Sequence, residues 1–94
     1  MTVEEFKSSF RGKEPPVCLS IEMKALWYAA KDDWNKAHML IQNEEDKKCA
    51  LVHAWLHRVE GDNFNADYWY SKAGFERPKF SAEEEFYNIV EKLI

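Results

Sequence analysis

Helical spacing of the apolar residues is the feature that most constrains this chain of 94 residues, since no segment shows the alternation typical of a β-strand. Polar residues that favour helix N-caps precede six of the apolar segments, at Thr2, Ser20, Asp33, Asp46, Asp62 and Ser81. Glu5 and Glu84 follow the first and the last of these by three residues, as in a capping box. The pattern predicts an all-α fold of six helices.

Short turns and helix breakers predict how these helices are joined. The turns at Asp32-Asp33 and Gly61-Asp62 are brief, which favours antiparallel helical hairpins. Gly74 is expected to end the fifth helix, and Pro15-Pro16 forces an extended connector after the first. For the second helix, the spacing predicts an apolar face of Ile21, Ala25, Tyr28 and Ala29.

Composition limits the class of protein. With 46% hydrophobic and 15% aromatic residues, the chain is too apolar for a disordered segment, and its length fits one domain, residues 1–94. No apolar run approaches the ~20 residues needed to cross a bilayer, and the N-terminus does not resemble a secretory signal. The net charge of −4 argues against nucleic acid and membranes as partners. Cys18 and Cys49 match neither metal-ligand nor disulfide spacing, so we expect a cytoplasmic protein.

The chain aligns with itself at an offset of 29 residues. Ala25 then lies over Ala54, and the turn at Asp32-Asp33 lies over the turn at Gly61-Asp62. In both halves a small residue on one helix precedes another on the next helix by twelve positions. Small residues at these places allow two helix backbones to approach closely, so we infer two related helix pairs.

The second of these segments resembles the tetratricopeptide repeat, a helix–turn–helix unit with small and aromatic residues at fixed positions. The matching positions are Ala50, Ala54, Gly61, Asp62, Ala66, Tyr70, Ala73 and Pro78. The first segment lacks the closing Ala and Pro, and Glu44 stands where the Ala belongs. The resemblance implies degenerate units at about residues 20–44 and 49–78, with capping helices at about residues 3–11 and 82–93. Residues 52–74 are also similar to a group of small bacterial proteins of unknown function.

The resemblance also implies a concave groove that holds an extended peptide or a partner helix. Its lining would be Leu51, Trp55, Arg58 and Val59, with Arg77 at the rim. Trp and Arg are the residues most enriched at binding hot spots. We therefore expect an interaction module that binds a protein or peptide, or associates with itself. An alternative stays open, in which the C-terminal helix fills the groove and leaves only its rim.

Three histidines depart from the repeat pattern. His53 and His57 lie four residues apart and project from one side of the same helix, and His38 lies on the packing face of the preceding helix. One interpretation is structural, with hydrogen bonds from the imidazoles to Tyr28, Tyr70 or Asp67. The alternative is a metal or small-molecule site, in which the three imidazoles ligate zinc and water takes the fourth position.

Motifs for catalysis are absent from the sequence. There is no Gly-rich phosphate loop, no nucleophile elbow and no His-Glu pair of the zinc-protease type. The run Glu83-Glu84-Glu85 is explained by the macrodipole of the last helix. We therefore expect a protein that is not an enzyme and that has no cofactor, apart from the alternative of zinc. An exposed aromatic patch that includes Phe64 or Phe75 would favour a homodimer.

Overall fold

The computed structural model describes residues 1–94 and contains six α-helices and no β-strand, which confirms the predicted fold class. None of the helices combines the length and the apolar character needed to span a membrane. A 3₁₀ turn, Ser9–Arg11, directly follows the first helix. The helices are α1 (Val3–Ser8), α2 (Ile21–Ala30), α3 (Trp34–Ile41), α4 (Lys47–Val59), α5 (Asn63–Ala73) and α6 (Ala82–Leu93).

Local sequence accounts for where the helices begin. Each of the six predicted N-cap side chains accepts a hydrogen bond from the backbone N–H three residues later. The capping box is complete at Thr2, whose N–H donates to the carboxylate of Glu5 at 2.8 Å. At the start of α6 only half of the predicted box forms, with Ser81 accepting from the N–H of Glu84. Gly74 ends α5 in the left-handed conformation, as expected.

Two turns 29 residues apart have the same backbone conformation. Asp32 and Gly61 both adopt a positive φ, of 63° and 87°. The N-caps that follow, Asp33 and Asp62, have ψ angles of 71° and 75°. Their N–H groups each donate to the carbonyl five residues earlier, at 2.9 Å in both turns. The offset found in the sequence thus corresponds to a repeated turn in the structure.

Helix α4 lies at the centre of the molecule and is buried along most of its length. It packs most extensively on α5, and it also contacts α2, α3 and α6. The second extensive pairing is between α2 and α3. All eight residues from Cys49 to Leu56 are buried, so one helix supplies a large share of the core.

The buried face of α2 differs from the predicted one. Ile21 is exposed, whereas Trp27 is buried. The reason is that the 3₁₀ turn covers the other side of α2, where the indole N–H of Trp27 donates to the hydroxyl of Ser9 at 3.1 Å. Phe10 packs edge-on against the same indole, with ring centroids 6.5 Å apart. Helix α2 is therefore buried on two sides, which a single apolar face does not describe.

Candidate metal centre

Two neighbouring helices bring the three histidines together. His38 lies on α3, and His53 and His57 lie one turn apart on α4, which packs against α3. One ring nitrogen from each histidine falls within 4.8 Å of the other two. The closest pair is His38 Nε2 and His53 Nε2, at 3.0 Å. The structure therefore assembles the predicted histidine cluster.

None of the three expected partners, Tyr28, Tyr70 and Asp67, forms a hydrogen bond with an imidazole. The hydroxyl of Tyr70 donates to Glu85, and Asp67 accepts from Arg77. The only hydrogen bond of His53 is the one that it shares with His38, and its buried Nδ1 has no partner. A buried polar atom without a partner costs about 1–3 kcal/mol, so this ring is not held by a satisfied polar network.

Two tryptophans hold the imidazole rings in place. Trp34 stacks on His38, with ring centroids 4.9 Å apart and planes 8° from parallel. Trp69 stacks on His53 at 4.0 Å and 16°. Trp34 is itself fixed, because its indole N–H donates to the carbonyl of Leu56 at 2.7 Å. The rings are thus oriented by aromatic packing from α3 and α5.

A carboxylate orients the third ring. His57 Nδ1 lies 2.6 Å from Glu60 Oε1, so Nδ1 carries the proton and donates to the carboxylate. This tautomer leaves the lone pair on Nε2 free for a ligand. Metal-binding histidines commonly donate their other ring N–H to a carboxylate, which fixes the ring and raises its basicity. Glu60 would therefore be an outer partner if His57 bound a metal ion.

Burial keeps the central imidazole in its neutral form. His53 is 4% exposed, and desolvation, together with the nearby rings of His38 and His57, lowers its pKa to about 4. The pKa of His38 is also lowered, mainly by burial and to a smaller extent by the nearby ring of His57. A metal ion binds the neutral imidazole, so these shifts remove proton competition at neutral pH.

The donor set decides which ions could bind. Three imidazole nitrogens suit Zn²⁺, Ni²⁺ or Cu²⁺, and the absence of carboxylates among them disfavours Mg²⁺ and Ca²⁺. Ligands about 2.0–2.1 Å from a tetrahedral Zn²⁺ lie about 3.3 Å from each other. The nitrogens here lie between 3.0 and 4.8 Å apart, a range that includes this spacing.

Two further groups of polar residues have local roles instead. Glu60 and Asp62 lie close to His57, but Asp62 caps α5 by accepting from the N–H of Asn65. Near the start of α4, Asp46 caps the helix by accepting from the N–H of Cys49. Burial and the neighbouring Asp46 raise the pKa of the Cys49 thiol to about 12, so this sulfur stays protonated. Cys49 therefore offers no thiolate in the metal-free protein.

Helix α6 fills the groove in which a partner was predicted to bind. Leu51 and Trp55 are buried, and the indole N–H of Trp55 donates to the carbonyl of Ala82 at 2.8 Å. The guanidinium of Arg58 donates to Glu85 at 2.9 Å and to the carbonyl of Phe80. The open groove is therefore corrected to an internal interface, which is the alternative that the sequence left open.

The remaining residues of the predicted partner surface are exposed. Val59 is 48% exposed, and Arg77 lies at the surface with its Nε donating to Asp67 at 2.9 Å. Phe64 and Tyr68 project outward from α5, one turn apart. Binding of a partner or of a second copy at this surface stays a prediction.

Sequence reasoning identified the three histidines but missed the residues around them. The spacing of Glu60 three residues after His57 was a usable signal, because such pairs meet on a helix. Trp34 and Trp69 gave no such signal, since their roles depend on how three helices pack. The burial of Glu85 was also missed. Its two acidic neighbours suggested only that all three glutamates interact with the helix dipole.

Comparison with protein families, with curated proteins and with solved structures finds no significant match to this chain.

Proposed function

We propose that this protein binds a divalent transition metal ion, Zn²⁺ in the first place, through His38, His53 and His57. The observation that carries the proposal is the convergence of three imidazole nitrogens, from two helices, within 4.8 Å of one another. Three nitrogen ligands leave a fourth position for water or for a ligand from outside the chain.

The arrangement of the neighbouring side chains supports this proposal over a structural role. Three imidazoles that face one another repel when they are protonated, and His53 gains no hydrogen bond outside the cluster. A metal ion at the centre would instead accept the nitrogen lone pairs of the neutral rings. The cavities of the protein are lined by other residues, so the proposal concerns binding of an ion and not turnover of an organic substrate.

The test is the stoichiometry and affinity of the purified protein for Zn²⁺ at pH 7.5. We expect one ion per chain by mass spectrometry of the equilibrated protein, with affinity measured against a chromophoric chelator. His57→Gln should weaken binding strongly, because it removes a ligand, while glutamine keeps a polar side chain at this partly buried position. Glu60→Gln should weaken it about 10–100-fold, as loss of an outer partner does.

Gln42→Ala is the matched control, because Gln42 is exposed at the end of α3 and has no side-chain hydrogen bond. It should bind Zn²⁺ as the unaltered protein does. A chain that holds no stoichiometric metal, or a His57→Gln variant with undiminished affinity, would overturn the proposal.

The finer description of the fold is also a proposal. We infer that the pairs α2–α3 and α4–α5 are degenerate tetratricopeptide-like units flanked by capping helices. The similar turns at Asp32-Asp33 and Gly61-Asp62 support this inference. An interaction with a protein partner, the second function expected from the sequence, would then use the exposed surface around Val59 and Phe64.

A further inference from the structure

Beyond the hydrogen bond between Tyr70 and Glu85, a gap separates α5 from α6. Both helices pack against α4 but make few contacts with one another. At one end the gap opens into a cavity of about 340 Å³, between the start of α4, the end of α5 and the end of α6. This volume falls in the range of small-molecule sites, which is roughly 300–1,000 Å³.

The floor of this cavity is apolar and its rim is cationic. Leu51 and Ala73 are buried beneath it, and Leu93 forms one wall. No acidic side chain lines the cavity. Three lysines stand at its edge, namely Lys47, Lys48 and Lys92. The protein as a whole has a net charge of −4, so the positive charge at this cavity is opposite in sign to the net charge.

The lysines are available to a ligand. None of the three forms an ion pair within the protein. Of the acidic neighbours along the chain, Asp46 is engaged with the N–H of Cys49 as the cap of α4, whereas Glu91, next to Lys92, is exposed and forms no ion pair. Lys92 is held beside the cavity, since its ammonium donates to Asn88 and lies 5.8 Å from the centroid of the Phe75 ring.

We propose that this cavity, here called the lysine cavity, binds an amphipathic carboxylate, with its charged head between the lysines and its alkyl chain over Leu51, Ala73 and Leu93. Charge complementarity selects an anion, because a neutral or cationic head would gain nothing from three ammonium groups. The apolar floor selects a ligand with a hydrocarbon chain over a simple anion, since burial of that chain supplies the affinity. The site is separate from the histidine cluster and goes beyond the metal-binding function.

The test is a titration of the ¹⁵N-labelled full chain with decanoate, followed by NMR. We expect saturable shifts of the backbone amides of Ala73, Gly74 and Leu93. Decanol and decyltrimethylammonium, which present the same alkyl chain with a neutral or a cationic head, should bind at least about tenfold more weakly. Acetate alone should cause no saturable shift, since it lacks the alkyl chain.

Two double variants change the net charge of the protein by the same amount. Comparing them distinguishes an effect of the cavity lysines from an effect of the overall charge. Lys47→Glu with Lys48→Glu should weaken decanoate binding about tenfold, and glutamate in the first turn of α4 is favourable for the helix. Lys13→Glu with Lys79→Glu alters exposed lysines outside the cavity and should leave the affinity unchanged. Equal affinity for the cationic analogue, equal losses in both double variants, or the absence of saturable shifts at the cavity would overturn the proposal.

Discussion

Glu85 shows how one side chain can fix the position of a helix. It is 2% exposed, yet both of its carboxylate oxygens are satisfied, because the hydroxyl of Tyr70 lies 2.6 and 2.7 Å from them and Arg58 donates at 2.9 Å. Burial and the hydrogen bond to Glu85 raise the pKa of Tyr70, so its phenol remains a donor. Three helices, α4, α5 and α6, meet at this carboxylate.

We predict that Glu85→Ala lowers the free energy of unfolding by about 3 kcal/mol, because it leaves the partly buried guanidinium of Arg58 without its counter-charge and the buried hydroxyl of Tyr70 without its acceptor. Glu83→Ala is the control, since Glu83 is exposed in the same helical turn and should cost less than about 0.5 kcal/mol. Urea denaturation of both variants measures the difference. Similar losses for the two variants would mean that the buried carboxylate contributes nothing beyond helix propensity.

The sequence could not separate Glu85 from its two acidic neighbours. All three glutamates suit the N-terminus of a helix, and only the packing of α6 on α4 and α5 distinguishes them. The histidines illustrate the same limit. The four-residue spacing predicted that His53 and His57 share a side of α4, whereas the approach of His38 to within 3.0 Å depends on packing between helices.

At the scale of the element, the structure agrees best with predictions that rest on local chemistry. A cap is formed by atoms three residues apart, so all six helix starts follow from the sequence. The buried face of α2 does not, because it depends on a turn that lies ten or more residues away along the chain. The repeated turn between helices also follows from local chemistry, since Asp and Gly are residues that tolerate a positive φ.

We predict opposite effects of substitution at the two equivalent turn positions. Gly61→Ala should lower the free energy of unfolding by about 1 kcal/mol from the backbone alone, since an added Cβ meets nothing within 4 Å. Asp32→Gly should raise it by about 0.5 kcal/mol, because relief of the left-handed strain exceeds the entropy that glycine adds to the unfolded chain.

Gly12→Ala serves as the control for these turn variants, because Gly12 has an ordinary φ of −77° and so carries no left-handed strain. It should be neutral or slightly stabilising. Chemical denaturation of the three variants measures the effects. The prediction fails if Gly61→Ala is as well tolerated as Gly12→Ala.

At the scale of the whole molecule, the histidine cluster joins two parts of the fold. His38 comes from the pair α2–α3, whereas His53 and His57 come from the pair α4–α5. The stacking of Trp69 on His53 adds α5 to the same junction. A metal ion bound there would link the two pairs directly.

We therefore predict that Zn²⁺ stabilises the complete protein and not only the site. At a free concentration a hundredfold above the dissociation constant, the free energy of unfolding should rise by about 2.7 kcal/mol. Urea denaturation with and without Zn²⁺ measures the gain. His38→Gln should abolish most of it by removing the ligand from the first pair, and an undiminished gain in that variant would contradict the prediction.

The effect of pH on the metal-free protein has a definite sign. The pKa of His53 is about 4 in the folded state and near 6.5 when the chain is unfolded. Between these values the unfolded state binds more protons, so stability falls as the pH is lowered through that window. The stabilisation by Zn²⁺ should also decline as the pH is lowered, because protons compete with the ion for the imidazole nitrogens.

The stacking of Trp34 on His38 and of Trp69 on His53 has a spectroscopic consequence. Two of the four indoles in the chain are in van der Waals contact with the rings that would ligate the ion. Ultraviolet emission from these indoles should therefore respond to the state of the cluster without any added label. An open-shell ion such as Cu²⁺ would quench that emission at contact distance, whereas closed-shell Zn²⁺ would leave it bright, so displacement of Zn²⁺ by Cu²⁺ can be read optically from the unaltered protein.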